Sequence, residues 1–161
     1  MRFDIVYTGS GALVWLPDIP RWARLVAGLL APGGFLYLVD GHPFVQILDS
    51  GAAGAPRAAR ASGLCVARDY FDAAPQVEDY PYTYTGGPAL EHTRQRNSWT
   101  AWVTSLAEAG LRIEFLHEYD FDAFGRFEGL QQGEDGTYQF PPGQPRVAMQ
   151  FSLRASAAHP G

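Results

Sequence analysis

At 161 residues, with 47% hydrophobic and 18% charged side chains, the chain has the composition of one folded domain able to bury a sizeable core. A formal net charge of -5 argues against a nucleic-acid backbone as the main partner, because phosphate binding needs a surplus of cations. The single cysteine, Cys65, excludes an intrachain disulfide and fits a reducing compartment. Flanked by Leu64 and Val66, it reads as a small buried hydrophobe. There is no signal-peptide pattern at the N-terminus and no apolar run near the ~20 residues that cross a bilayer, so the expected location is the cytoplasm, away from membranes.

The first element is already unusual. Phe3-Asp4-Ile5-Val6-Tyr7-Thr8 is a near-continuous apolar run, the signature of a parallel strand with helices over both faces. Strands of that kind sit inside a sheet, yet nothing upstream supplies one neighbour. Gly9-Ser10-Gly11 then turns the chain. Asp18 is a good N-cap with Pro20 in the first turn, and Ile19, Trp22, Leu25, Val26, Leu29 and Leu30 form one helical stripe that ends at Pro32-Gly33-Gly34. Phe35 to Val39 is a second buried strand, closing on Asp40-Gly41-His42-Pro43. Strand, helix and strand make a right-handed βαβ unit, and ligands of such sheets bind beyond the carboxyl ends of the strands. That edge holds Thr8 to Trp15 and Asp40 to Pro43.

Between residues 44 and 97 periodicity is lost, and the segment reads as a lid or insertion. Leu64 to Phe71 suits a short strand. Tyr80, Tyr82 and Tyr84 alternate in an extended arm or hairpin that could wall a pocket, and Glu91 to Arg94 form a polar cluster. Ser98 caps a second helix with Trp99, Trp102, Val103 and Leu106 on its apolar stripe, and Gly110 stops it. Leu111, Ile113 and Phe115 alternate with Arg112 and Glu114, as in a strand with one wet face. Val147, Met149, Phe151 and Leu153 alternate in the same way at the end of the chain. With no helical stripe between Asp120 and Pro145, these two strands are expected to pair antiparallel.

Gly9-Ser10-Gly11-Ala12-Leu13-Val14 invites a dinucleotide reading, an NAD(P)-binding fragment with Asp40 ending the next strand. Against it, Val14 stands where that fingerprint wants Gly or Ala, and the helix begins only near Asp18. His42, His92, His117 and Cys65 have no metal-ligand spacing, so no metal site is expected. No nucleophile elbow or Walker loop is present.

The runs Phe3 to Thr8, Gly11 to Asp18 and Leu30 to Val39, with Ala107 to Ile113 later, taken in that order and spacing, resemble the second half of a class I S-adenosylmethionine-dependent methyltransferase. The resemblance implies an α/β fold. It would be a partial Rossmann-like sheet with parallel strands, an antiparallel C-terminal strand pair and helices on the faces, forming a single partial domain over residues 1–161. It also implies methyl transfer from S-adenosylmethionine to a small-molecule acceptor. Thr8, Gly9 and Ser10 would then pass the methionine end of the cofactor, and Trp15 would face the sulfonium or pack against Trp22 in the core. His42 could act as general base on the acceptor, or hydrogen-bond a loop. The family's glycine-rich first loop and acidic second strand end have no counterpart, which suggests a truncated chain, inactive alone. The rival expectation is a non-catalytic assembly module, self-associating as a homodimer through the open edge of Phe3 to Thr8.

Overall fold

The computed structural model describes residues 1–49, 65–80, 90–95, 97–127 and 129–157. Its centre is a four-stranded sheet in the order β1 (Phe3–Thr8), β2 (Leu30–Gly41), β10 (Gln150–Ala157), β7 (Leu111–Tyr119). β1 and β2 run parallel, and β10 lies antiparallel between β2 and β7. The expected antiparallel pair is therefore present, and its second strand is inserted beside β2. Between β1 and β2 runs α1 (Ile19–Leu29), the crossover of the βαβ unit. Asp18 caps it as the sequence predicts, its carboxylate accepting from the Arg21 backbone N–H at 2.8 Å. α2 (Trp99–Glu108) precedes β7, and Gly110 follows it at φ 79°, the left-handed conformation that favours glycine at a helix end.

Pro32-Gly33-Gly34 does not end the helix. The helix stops at Leu29, and these residues form an irregularity within β2, where the pairing with β1 jumps from Phe3–Leu30 to Ile5–Phe35. Gly34 is required there, because a Cβ would come within 2.8 Å of the Phe3 carbonyl oxygen.

Both helices pack on one face of the sheet. Ile19, Ala23 and Val26 of α1 meet Trp102 and Leu106 of α2 over Leu36, Leu38, Phe151, Leu153 and Ala155 in one buried cluster. Trp102 stacks on Phe151 with ring centroids 5.2 Å apart, and Trp99 meets the same ring edge-on. Neither described helix covers the opposite face. It carries Tyr7 stacked on Tyr37, Tyr37 edge-on to Phe115, and the Arg154 guanidinium 3.9 Å above the Phe35 ring.

This corrects the reading of Phe3 to Thr8 as a strand covered on both sides. Phe3, Ile5 and Tyr7 are 43%, 56% and 64% exposed, because among the described residues nothing packs over them. The end of the chain needs the opposite correction. β10 starts at Gln150, not Val147, and is not wet on one side: Gln150, Ser152 and Ser156 are buried along with Phe151 and Leu153. A strand with a neighbour on each edge is sheltered even where its side chains are polar.

Within residues 44–97 the described parts contain more order than the sequence shows. A 3-10 turn over Pro43–Ile47 leads into β3 (Leu48–Asp49), which pairs with β4 (Cys65–Val66). β5 (Gln76–Tyr80) pairs with β6 (Leu90–Arg94) as an antiparallel hairpin. Tyr82 and Tyr84 lie outside the described residues, as do the side chains of Cys65, Tyr80 and His92. The loop after β7 includes the two-residue strands β8 (Gln131–Gln132) and β9 (Tyr138–Gln139). Beneath it Phe127 and Met149 meet Val45 and Leu48 in a second small core. No described helix is long and apolar enough to cross a membrane.

Candidate functional site at the carboxyl edge of the parallel strands

Asp40, the penultimate residue of β2, joins the two loops that leave the parallel strands. Its Oδ1 accepts from the backbone N–H of Gly11 at 2.9 Å and of Gly41 at 2.7 Å, and its Oδ2 accepts from Leu13 N–H at 2.9 Å. The residue is 1% exposed. Burial pushes its carboxyl above the ordinary value of 3.8, opposed by the three backbone donors and by the charge of Arg126. The loop after β1 is thereby tied to the end of β2, and the Leu13–Trp15 turn is held from its other side by Gln95, whose N–H donates to the Val14 carbonyl at 2.6 Å.

Behind Asp40 lies a second carboxylate. Asp122, fully buried, accepts from Arg126 Nε at 2.6 Å and from Nη2 at 2.9 Å in a two-pronged contact. The guanidinium rests against Gly41, with Nη1 3.3 Å from where a Cβ would be, a close approach that would have to shift for a larger residue.

His42, one of the residues singled out in the sequence, sits at the same edge and is also buried. Phe44 N–H donates to its Nδ1 at 3.1 Å, capping the Pro43–Ile47 turn. With the Nδ1 lone pair so used, the neutral ring carries its proton on Nε2, which donates to Glu118 Oε1 of β7 at 2.8 Å. The Trp99 indole N–H lies 3.1 Å from the same Nε2 and competes with Glu118 for it, since a protonated Nε2 has no lone pair to offer. Burial draws the His42 pKa below 6.5, while Glu118 pulls it back up. Both ring nitrogens are thus engaged by the chain itself.

The other anticipated residues line up along the loop after β1. Thr8 ends β1 opposite Leu38, and the Tyr7 ring lies beside Gly9. The Ser10 hydroxyl oxygen is buried with no hydrogen-bond partner among the described residues. Trp15 is 42% exposed and is not part of the buried core, whereas Trp22 packs against that core. The structure brings Thr8 to Trp15 and Asp40 to His42 to one edge, as the βαβ rule predicts. Trp99, read as a core residue, is both core and a neighbour of His42. Asp122, Arg126 and Glu118 are not apparent from the sequence reading. The acid-to-arginine spacing of four at Asp122 and Arg126, in a segment with no helical stripe, is the one signal that could have marked the first two. Among the described residues no three His, Cys, Asp or Glu side chains gather as a metal site would require.

The NAD(P) reading meets a physical obstacle here. A carboxylate ending the second strand would have to face ribose hydroxyls, but both oxygens of Asp40 are committed to backbone N–H groups inside the fold.

Solved structures with the same arrangement exist. The fold matches an S-adenosylmethionine-dependent methyltransferase structure from Mesorhizobium loti with a TM-score of 0.57 and 20% sequence identity over 96% of this chain. It matches a structure from Listeria monocytogenes assigned to the same enzymes with a TM-score of 0.62 and 15% identity over 98% of the chain. The fold is a methyltransferase fold. A third match, an S-adenosylmethionine-dependent methyltransferase from Clostridium acetobutylicum, gives a TM-score of 0.51 at 9% identity. The chain spans only 59–62% of the length of these three proteins. No protein-family model matches the sequence, and no curated protein does.

Proposed function

We propose that this chain is part of an S-adenosylmethionine-dependent methyltransferase acting on a small-molecule acceptor, with the loop after β1 as its share of the cofactor site. The observation that carries the reading is the bridge from Asp40 to Gly11 and Leu13. It fixes the loop beyond the carboxyl end of β1 against the end of β2, where a methyltransferase fold receives its ligands. The Ser10 hydroxyl in that loop, without a hydrogen-bond partner among the described residues, suits the amino and carboxylate groups of a methionine moiety. The half-exposed Trp15 suits a cation, which an aromatic face attracts by roughly 0.5–2 kcal/mol.

When bound, the cofactor supplies a methyl group already activated on a sulfonium, so the protein's task is mainly alignment. Thr8, Gly9 and Ser10 hold the methionine end, and Trp15 lies beside the positive charge. His42 takes the acceptor's proton on Nδ1, which requires it to release the Phe44 N–H, and Glu118 then holds the imidazolium through Nε2–H. Calorimetric titration with S-adenosylhomocysteine tests the reading. A dissociation constant in the micromolar range, about -8 kcal/mol, is expected. Absence of heat and of any thermal shift from a folded sample would leave a methyltransferase fold without the activity.

A second reading rests on the open edge of β1 and the exposure of Ile5 and Tyr7. On this reading the chain self-associates by adding β1 to β1 of another copy. Light scattering at tens of micromolar should then show a dimer that Ile5→Pro weakens, because proline removes a ladder donor. A monodisperse monomer contradicts it.

A further inference from the structure

Asp40 has a polar environment unlike that of the sheet interior around it. The four-stranded sheet is lined by Leu36, Leu38, Phe151 and Leu153 on the helix side, yet at its carboxyl edge two buried carboxylates and one arginine meet in sequence. Asp122 grips Arg126 with two hydrogen bonds, and Arg126 lies on Gly41. Its charge reaches Asp40, and Asp40 holds Gly11 and Leu13. The members come from the loop after β7, the end of β2 and the loop after β1, so residues more than eighty positions apart share one polar line.

Burying a carboxylate is costly unless its lone pairs are met and a cation stands nearby. Here both conditions hold, and two of the hydrogen bonds go to backbone N–H groups of the loop after β1, at Gly11 and at the start of the short Leu13–Trp15 turn. Gly11, at φ 81°, has no strand ladder to fix it, and among the described residues the Leu13–Trp15 turn has its own two backbone hydrogen bonds and the Gln95 N–H on the Val14 carbonyl. At Gly11 the carboxylate stands in for that ladder.

We propose that Asp40, backed by Arg126 and Asp122, is a positioning residue that latches the Gly9–Leu13 loop into its ligand-ready conformation. The latch touches no ligand itself. It sets where the Ser10 hydroxyl and Trp15 stand, and it makes the loop after β7 a remote contributor to ligand affinity. The role in ligand binding rests on the methyltransferase reading above; the latch itself does not.

The two can be separated by experiment on the full chain. Amide hydrogen exchange on the wild-type protein should show Gly11 and Leu13 protected despite their irregular backbone, by on the order of a hundredfold over free peptide. Exchange at free-peptide rates would overturn the latch. Asp40→Asn keeps the shape but turns one oxygen into an N–H₂ donor, which then opposes a backbone donor. Protection at Gly11 or Leu13 should fall by about tenfold or more while Leu36 and Leu38 of β2 are unchanged. An equal loss of protection in β2 would make Asp40 merely a stabilising core residue. If Asp40→Asn does not fold, the double substitution Asp122→Asn with Arg126→Gln replaces the ion pair by neutral polar groups and removes the guanidinium from Gly41. It should then loosen Gly11 and Leu13 by about threefold or more with β2 unchanged, and no change there would remove Arg126 from the latch.

Affinity for S-adenosylhomocysteine gives the second readout. It should drop by about tenfold in Asp40→Asn with the thermal midpoint of the sheet retained. Unaltered affinity with a loosened loop would overturn the ligand-positioning half of the proposal. If the wild type binds no S-adenosylhomocysteine, the methyltransferase reading and that positioning role fail together. The exchange data still decide whether the loop is latched.

Discussion

One sheet has two faces that both carry apolar strand residues but have very different surroundings. On one, Leu36, Leu38, Phe151 and Leu153 lie fully buried under α1 and α2. On the other, Ile5 and Tyr7 stand more than half exposed beside Tyr37, Phe35 and Phe115. Both sets alternate along their strands with period two, and both are apolar. Hydrophobic patterning therefore fixes which residues share a face, and only the packing of helices decides whether that face is dry. The burial term, roughly 25 cal/mol per Å² of apolar area, is realised on the helix-covered face and mostly unrealised at β1.

Substitutions on the two faces should differ accordingly. The largest effect is expected for Phe151→Ala, which removes the ring that Trp99 and Trp102 pack against. A loss of about 3–5 kcal/mol in chemical denaturation is expected. A loss below 1 kcal/mol would mean that the covered face is not the main core. Next comes Gly34→Ala at the irregularity between β1 and β2, where the new methyl group meets three backbone carbonyls. A cost of about 1–3 kcal/mol is expected from the same measurement, and a neutral result would contradict the close approach of the two strands.

The pH dependence of stability should carry a smaller signature at the edge shared by both faces. His42 is held below its ordinary pKa of 6.5, so the unfolded chain binds its proton more readily than the folded one. Its contribution is complete above pH 6.5 and declines as pH falls toward the folded value, as the Phe44 cap loses its acceptor. Denaturation curves across that window should flatten in His42→Gln, and an unchanged slope would show that some other group titrates there. Asp40 has the opposite sign. Its raised pKa means that its contribution is complete below 3.8 and is lost as pH rises through the folded value. The smallest change is expected for Ile5→Ser on the open face, within about 0.5 kcal/mol if nothing covers that side chain. A loss of 2 kcal/mol or more would reveal a partner, and its dependence on protein concentration would identify a second copy.

Much of this architecture is legible in the sequence because it is local. Asp18 announces α1, Gly110 ends α2, and two apolar runs flanking a helix announce a parallel pair. What the sequence hides is long-range. Val147 to Leu153 alternates like a half-wet strand, but insertion of β10 between β2 and β7 buries Ser152 and Gln150 as well. Pro32-Gly33-Gly34 reads as a helix stop, and its use is the close approach of β2 to β1. At the candidate site, the loop of Thr8 to Trp15 and the end of β2 are visible from strand order alone. The part played by Asp122 and Arg126 is not, because it depends on a loop that returns from 86 residues further along the chain than Asp40, by the numbering of Arg126.

The most direct test of the account is a nitrogen-15 correlation spectrum of the chain titrated with S-adenosylhomocysteine. The backbone signals of Gly9, Ser10 and Gly11 and the Trp15 indole signal should shift together and saturate, with Leu13 and Gly41 following through Asp40. The turn at Gly110, which enters β7 at the opposite end of the sheet, should not move. A saturating titration that moves other regions and leaves Thr8 to Trp15 unchanged would contradict the placement of the site.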